Sequence, residues 1–327
     1  MSKQIVAADI GGTHARFALA EIGDGRVLTL GDVVTLKTAQ HASLQTAWED
    51  FAGQVGHALP RAAGIAIATT VRGDILKLTN NPWIIRPALM QEKLGIDDFV
   101  LINDFEAVGH AVAQADATHF AHLTGPDTPL PDSGTISVIG PGTGLGVAHV
   151  WRSIDKGGAY HVQATEGGHI DFAPLDVIED ALLAALRARY RRVSVERVVA
   201  GPALADIYAT LAQIEGRAVR TMSDAELWAL GMAGTDSIAA AAIDRFCMAL
   251  GSIAGDIALA QGGSAVVIAG GLGLRIKDQL VRSGFATRFR AKGRFEVLMA
   301  SLPVKLITHP QPGLFGAAAA YARSHSI

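Results

Sequence analysis

The stretch Gln4–Glu21, QIVAADIGGTHARFALAE, constrains the fold more than any other part of the chain. Apolar residues run into Asp9, two glycines and a threonine turn the chain, and Ala15–Glu21 then alternates as a strand does. The pattern predicts a β-hairpin whose tip carries a carboxylate, small residues and a hydroxyl. Gly11 and Gly12 are able to take φ > 0 and leave backbone N–H groups uncovered, so the tip can approach a phosphate closely. Asp9 is placed to hold a magnesium ion through water, because Mg²⁺ keeps part of its hydration shell. Alone, Gly-Gly-Thr describes an ordinary hairpin turn. The rest of the chain decides.

A length of 327 residues suggests about two domains, each able to bury a full core. Hydrophobic residues make up 50% and charged ones 18%, which excludes a disordered chain. The net charge of −3 gives no electrostatic case for nucleic acid or an anionic membrane. Cys247, the single cysteine, cannot form an intrachain disulfide and fits a reducing cytosol. With the hairpin starting so early, no signal peptide is expected ahead of it. The most apolar region, Ala249–Leu274, is broken by Asp256, Gln261 and seven glycines. It therefore predicts a buried helix, turn and strand, not a membrane span, and a soluble protein.

After the hairpin, Arg26–Thr35 reads as a third strand. Ser43 caps a helix in which Leu44, Trp48, Phe51 and Val55 share one face. Ala62–Ala68 is a wholly apolar strand, Ile75–Leu78 another, and Asn80-Asn81-Pro82 a turn. Pro87 opens a helix to Leu94, and Phe99–Ile102 is a strand that ends at Asn103-Asp104 before a helix to about Gln114. Strands that run into helices describe an open α/β sheet. Ligands of such sheets sit beyond the carboxyl ends of the strands, so Asp104 occupies a working position. Residues 116–133, with Gly125 and three prolines, read as a loop between domains.

The second half repeats the design. Ile136–Ile139 is a strand, Gly140–Gly144 a glycine turn and Leu145–Trp151 a second strand, so Ile-Gly-Pro-Gly-Thr echoes Ile-Gly-Gly-Thr of the hairpin. The echo predicts two copies of one unit facing a shared cleft. Helices are expected over 175–191, 203–212, 223–230 and 236–260, then a strand at Ala265–Ala269, the turn Gly270–Gly273, a strand at Val304–Thr308 and a closing helix Gly313–Arg323. Three glycine turns thus follow apolar strands, and none is a P-loop or a GxGxxG fingerprint. Together they can grip one nucleotide: two backbone loops hold the phosphates, and the third offers adenine a glycine surface.

The motifs become specific as a set. D-I-G-G-T-H-A-R from Asp9, L-I-N-D-F from Leu101, G-P-G-T-G-L-G from Gly140, E-G-G-H-I-D-F from Glu166, S-V-E-R from Ser194 and I-A-G-G-L-G from Ile268 resemble those of bacterial glucokinases. These belong to the hexokinase-like branch of the actin-type ATPase superfamily. The ROK kinases, another bacterial branch, carry a cysteine-rich zinc motif that one cysteine cannot supply. The resemblance implies two actin-like (RNase H-like) α/β domains around a central cleft that closes on sugar. The smaller would be residues 1–114 with 309–327, and the larger 115–308. It implies ATP with Mg²⁺ and glucose as ligands, a homodimer and a cytoplasmic enzyme, with no nucleic-acid or membrane partner.

By the same resemblance, Asp104 is the base that takes the proton of the glucose 6-hydroxyl during in-line phosphoryl transfer. Asn103, Asp104, Glu166, His169 and Glu196 hold the sugar, since carboxylates that accept from its hydroxyls leave a buried acceptor unpaired when the wrong sugar binds. Ala8, Asp9, Ile10, Gly11, Gly12, Thr13, Gly142, Thr143, Gly144, Gly270, Gly271 and Gly273 hold ATP, and Asp9 the magnesium. Taken singly, Asp104 is a helix N-cap, His169 a core histidine and Glu196 a first-turn glutamate. His119 and His122 belong to an exposed polar loop, and Arg187, Arg189, Arg191 and Arg192 to a solvated helix end. His14 stands where asparagine is common, Ala66–Val71 lacks a proline, and Ala200–Ala203 replaces S-G-P-G, which bears on affinity and strictness. Alternatives are a mannose or fructose kinase, a polyphosphate or ADP donor, a sugar-sensing regulator, and a protein-directed ATPase. The regulator would need a DNA-binding segment, and the ATPase has no use for the Glu166, His169 and Glu196 set.

Overall fold

The computed structural model describes residues 2–78, 81–154 and 159–325. Strands β1 (Lys3–Ile10), β2 (His14–Gly23), β3 (Arg26–Leu30) and β4 (Val34–Lys37) lead to helix α1 (Leu44–Val55). Strands β5 (Ala62–Ile67), β6 (Leu76–Lys77) and β7 (Ile84–Ile85) precede α2 (Met90–Leu94), β8 (Asp98–Asn103) and α3 (Asp104–Gln114). Then come β9 (Phe120–Thr124), β10 (Gly134–Pro141), β11 (Leu145–Ser153), β12 (Ala159–Thr165), α4 (Val177–Tyr190), α5 (Glu196–Val199), α6 (Ala203–Ile214), α7 (Asp224–Ala233) and α8 (Ser237–Gln261). The chain finishes with β13 (Gly263–Ile268), α9 (Gly270–Arg275), α10 (Lys277–Arg282), α11 (Phe285–Arg290), α12 (Glu296–Ala300), β14 (Val304–Ile307) and α13 (Pro312–Ser324). Two compact units result. One takes the chain up to Asp116, Val162–Ala164 and the chain from His309 on; the other takes Ala117–His161 and Thr165–Thr308.

The sheet of the first unit has the order β3-β2-β1-β5-β8, with β4 also on β2. β1 pairs with β2 antiparallel, whereas β1–β5 and β5–β8 are parallel. Both faces are covered, which is why β1 and β5 read as continuous apolar runs. Val6, Ala8 and Ile10 enter one core with Phe17, Trp48 and Phe51. Ile5 and Ala7 enter another with Leu314, Ala318 and Tyr321 of α13. Helix α1 starts where expected: Ser43 and Thr46 form a capping box, and Gly56 ends it at φ 75°.

Several expectations are corrected here. The single strand over Arg26–Thr35 is two short strands dividing the edge of the ten-residue β2, with Gly31 N–H bonded to the Leu19 carbonyl between them. Ile75–Leu78 shrinks to Leu76–Lys77, paired with Ile84–Ile85 in a separate two-stranded sheet. Pro87 begins a 3₁₀ turn, Pro87–Leu89, ahead of α2. Asn80, in the expected turn, lies outside the described residues.

The second unit's sheet runs β12-β11-β10-β13-β14-β9. Its β11-β10-β13-β14 run repeats β2-β1-β5-β8 of the first sheet: an antiparallel hairpin, β10–β11, continued by parallel β13 and β14. The sequence echo is thus a repeat of topology. Among the described residues α8 is the one helix long and apolar enough to cross a membrane, and 72% of its most apolar window is buried in the unit. The stretch read as a loop over 116–133 contains β9, antiparallel to β14, so His119 and His122 sit in a 3₁₀ turn and a strand. Gly270–Gly273, read as a turn, is the first turn of α9.

Candidate active site

The hairpin tip closes with the Gly11 N–H donating to the His14 carbonyl at 2.9 Å. Gly11 does not use the left-handed backbone expected of it. It is small because an added Cβ would lie 3.3 Å from the His14 carbonyl oxygen. Thr38 secures the tip through its carbonyls: the hydroxyl donates to Gly12 O at 2.8 Å and the N–H to Thr13 O at 3.1 Å. Ala8 and Ile10 turn their side chains into the core, so only their backbones can face a ligand. The strand alternation sends Asp9 to the opposite face, against the first turn of α13. A Cβ on Gly313 would lie 2.5 Å from Asp9 Oδ2, so glycine is what leaves that carboxylate its place.

Asp9 faces Arg16 in the hairpin register, with Nη1 3.5 Å from Oδ2. Burial pushes the Asp9 pKa up, and Arg16 offsets this only in part. The register sets this pair: Ile10 faces Ala15 across the four residues 11–14, so Asp9 faces Arg16. Gly313 was missed, and its signal was the Pro-Gly pair at a helix start.

Asn103 ends β8 and caps α3, its Oδ1 accepting from the Phe105 N–H at 2.9 Å and the Glu106 N–H at 3.3 Å. The cap is therefore Asn103, and Asp104 is the first helical residue. One oxygen of Asp104, Oδ1, accepts from Asn103 Nδ2 and the Phe105 N–H, both at 2.9 Å. Asn103 Nδ2 also reaches the Thr69 carbonyl at 3.2 Å. Burial first, and the nearby Asp9 charge second, raise Asp104 from 3.8 to about 6. A carboxylate held in one rotamer and ionising just below neutrality is suited to accept a proton.

In the second unit, Glu166–His169, Glu196 and the turn Gly142-Thr143-Gly144 converge on Leu145, the first residue of β11. Glu196 Oε2 accepts from the Leu145 N–H at 2.9 Å. The Gly167-Gly168 turn lies on the other side of this backbone, for a Cβ on Gly168 would come within 2.3 Å of the Leu145 carbonyl oxygen. Residues 170–172, after His169, pair with 193–195, before Glu196: Val195 N–H donates to Ile170 O and Phe172 N–H to Val193 O. Gly201 N–H ties back to Gly142 O at 2.7 Å.

Gly270, at φ 83°, packs on Pro141 of the same turn. Gly273 is tight against Ile268, while Gly142 and Gly271 leave open space where a Cβ would be. Uncovered backbone at two adjoining glycine turns fits a phosphate-bearing ligand. Burial that disfavours the Asp9 charge likewise fits a cation beside it.

A family model described as Glucokinase matches residues 6–324. The glucokinase of Zymomonas mobilis is 60% identical over 323 residues, 99% of each chain. A crystal structure of glucokinase from an Antarctic psychrotroph has 32% identity and a TM-score of 0.86, covering 97% of this chain and 98% of that one. A glucokinase from Balamuthia mandrillaris in complex with glucose shares the fold, at 20% identity and a TM-score of 0.77, over 98% of this chain and 94% of that one. Paired α/β units with glycine turns at their strand ends are the mark of sugar kinases of the actin-like ATPase fold. Within that class the chain belongs to the glucokinase family. Its reaction is the phosphorylation of glucose with ATP as the donor.

Proposed function

We propose that the chain transfers a phosphoryl group in line to the 6-hydroxyl of glucose, with Asp104 as the base. Oδ1 of Asp104 is held by Asn103 and the Phe105 N–H, and Oδ2 takes the hydroxyl proton as the new P–O bond forms. The observation that carries the reading is the Asp104 carboxylate held through one oxygen at the end of β8, where burial raises it to about 6, ionised at neutral pH yet more basic than an ordinary aspartate. Asn103, Glu166, His169 and Glu196 orient the sugar. Residues 1–114 with 309–327 act as one domain and 115–308 as the other.

ATP supplies the phosphoryl group, and Mg²⁺ neutralises phosphate charge. The residues that would hold ATP are the hairpin tip Ala8–Thr13, the turn Gly142-Thr143-Gly144 and Gly270, Gly271 and Gly273. Asp9 would hold the magnesium through water. We read the enzyme as a cytoplasmic homodimer. The compartment rests on the cysteine count, since the single cysteine, Cys247, is a free thiol. The dimer rests on the family resemblance, and sedimentation equilibrium tests it. For the base, Asp104→Asn should lower kcat by about 10²–10⁴-fold while calorimetric glucose binding survives. Near-normal turnover would remove the assignment.

A further inference from the structure

Glu196 stands out because the group that fixes it belongs to a different substrate's loop. Its Oε2 accepts from the Leu145 N–H at 2.9 Å, immediately after the glycine turn read above as holding ATP. A Cβ on Gly144 would lie 2.5 Å from that same oxygen and 3.2 Å from the carboxyl carbon. The next contact within 4 Å is the other carboxylate oxygen, Oε1, at 3.8 Å. Gly144 is not in the left-handed region, so its backbone does not demand glycine. What demands glycine is the carboxylate lying over it.

We infer that Gly144 is a positioning residue for glucose: its missing side chain lets Glu196 lock onto the Leu145 N–H with Oε2 and present Oε1 to the sugar. A glutamate has three side-chain torsions, and fixing them before the sugar arrives removes an ordering cost from binding. A charge-assisted bond to a backbone N–H does this without engaging the second oxygen. The lock also joins the sugar-binding carboxylate to the start of β11. A glycine in the nucleotide turn thereby governs sugar affinity. This rests on the reading of Glu196 as a sugar ligand given under the proposed function.

The neighbouring glycines sharpen the test. At Gly168 an added Cβ meets backbone, the Leu145 carbonyl oxygen at 2.3 Å, so substitution there disturbs the fold. At Gly144 it meets only the far end of a flexible side chain. Gly144→Ala should therefore keep its Tm and weaken calorimetric glucose binding, measured without nucleotide, by about tenfold. KM for glucose should rise more than KM for ATP. In a Glu196→Ala background the same change should add nothing further to the loss of glucose binding, because the residue it acts through is gone.

Unchanged glucose binding in Gly144→Ala, or a loss that adds in full to that of Glu196→Ala, overturns the inference. So does a variant that fails to fold, because the added methyl is required to displace a side chain alone. If Glu196→Ala itself binds glucose like the parent, the sugar-ligand reading falls and the inference falls with it. If Glu196→Ala weakens binding while Gly144→Ala does not, the sugar-ligand reading stands and only the inference falls.

Discussion

Asp104→Asn should stabilise the protein while it disables it. The side chain keeps its shape, and its Oδ1 still accepts from the Phe105 N–H and from Asn103 Nδ2. What disappears is a buried charge that lies near Asp9. Raising a carboxylate from 3.8 to about 6 means the charged form costs the folded state about 3 kcal/mol. Loss of a favourable charge at a helix start returns about 0.3–1 kcal/mol of this, and partial solvation takes more, leaving a gain of about 1–2 kcal/mol. The pH dependence fixes the cause. Between pH 3.8 and 6 the folded state holds a proton that the unfolded state has released, so the parent loses stability as pH rises through that window. The variant, having no such proton, does not. Urea unfolding followed at pH 8 and pH 4 should show the gain at pH 8 and its near disappearance at pH 4. An equal gain at both pH values, or none at pH 8, would refute the argument that burial of charge poises this base.

Two further substitutions test the framework, one at the site and one in the second unit's ion-pair cluster. Gly313→Ala places a methyl 2.5 Å from Asp9 Oδ2, so the magnesium needed for half-maximal rate should rise several-fold with calorimetric glucose binding unchanged. Arg288, nearly buried, bonds Asp176 Oδ2 and, at 3.0 Å, Glu179 Oε1. Arg288→Ala leaves the buried Glu179 without this partner and should cost about 3 kcal/mol in urea unfolding at pH 7.

What the sequence made legible was whatever a local signal encodes. Ser43 announces α1 because a cap acts on the next three residues, and the hairpins announce themselves through a glycine turn between apolar runs. Asn103 and Asp104 were placed correctly at a strand's end, although which of the two is the cap depends on side-chain geometry that spacing does not reveal. β9 was hidden because Phe120–Thr124 is a half-polar edge strand whose existence depends on distant β14. α9 was hidden because three glycines argue against a helix by about 1 kcal/mol each. It forms where packing of Gly270 on Pro141 and of Gly273 on Ile268 leaves no room for side chains at those two positions. Most of the site's support was illegible for the same reason: the Glu196–Leu145 bond and the Gly313–Asp9 contact join residues far apart in the chain.

The two sheets, finally, show how one scaffold came to carry unequal chemistry. Register aligns Ile10 with Ile67 and Asn103 in the first, and Ile139 with Ile268 and Leu306 in the second. Stepping along those rows makes Val138 the counterpart of Asp9, and Leu306-Ile307 that of Asn103-Asp104. All three second-unit residues are buried and apolar. The hairpin partner changes too: Arg16 faces Asp9, whereas Ala148 faces Val138. An acid without its arginine would leave an unpaired buried charge, so the pair can be kept or exchanged only together. The first unit keeps it and carries the proposed base. In the second, apolar residues fill those places, and the acids proposed to meet the sugar come from the turns, Glu166 after β12 and Glu196 at the start of α5. A phosphoryl transfer needs one base, and a second buried acid without a counter-charge would only cost stability.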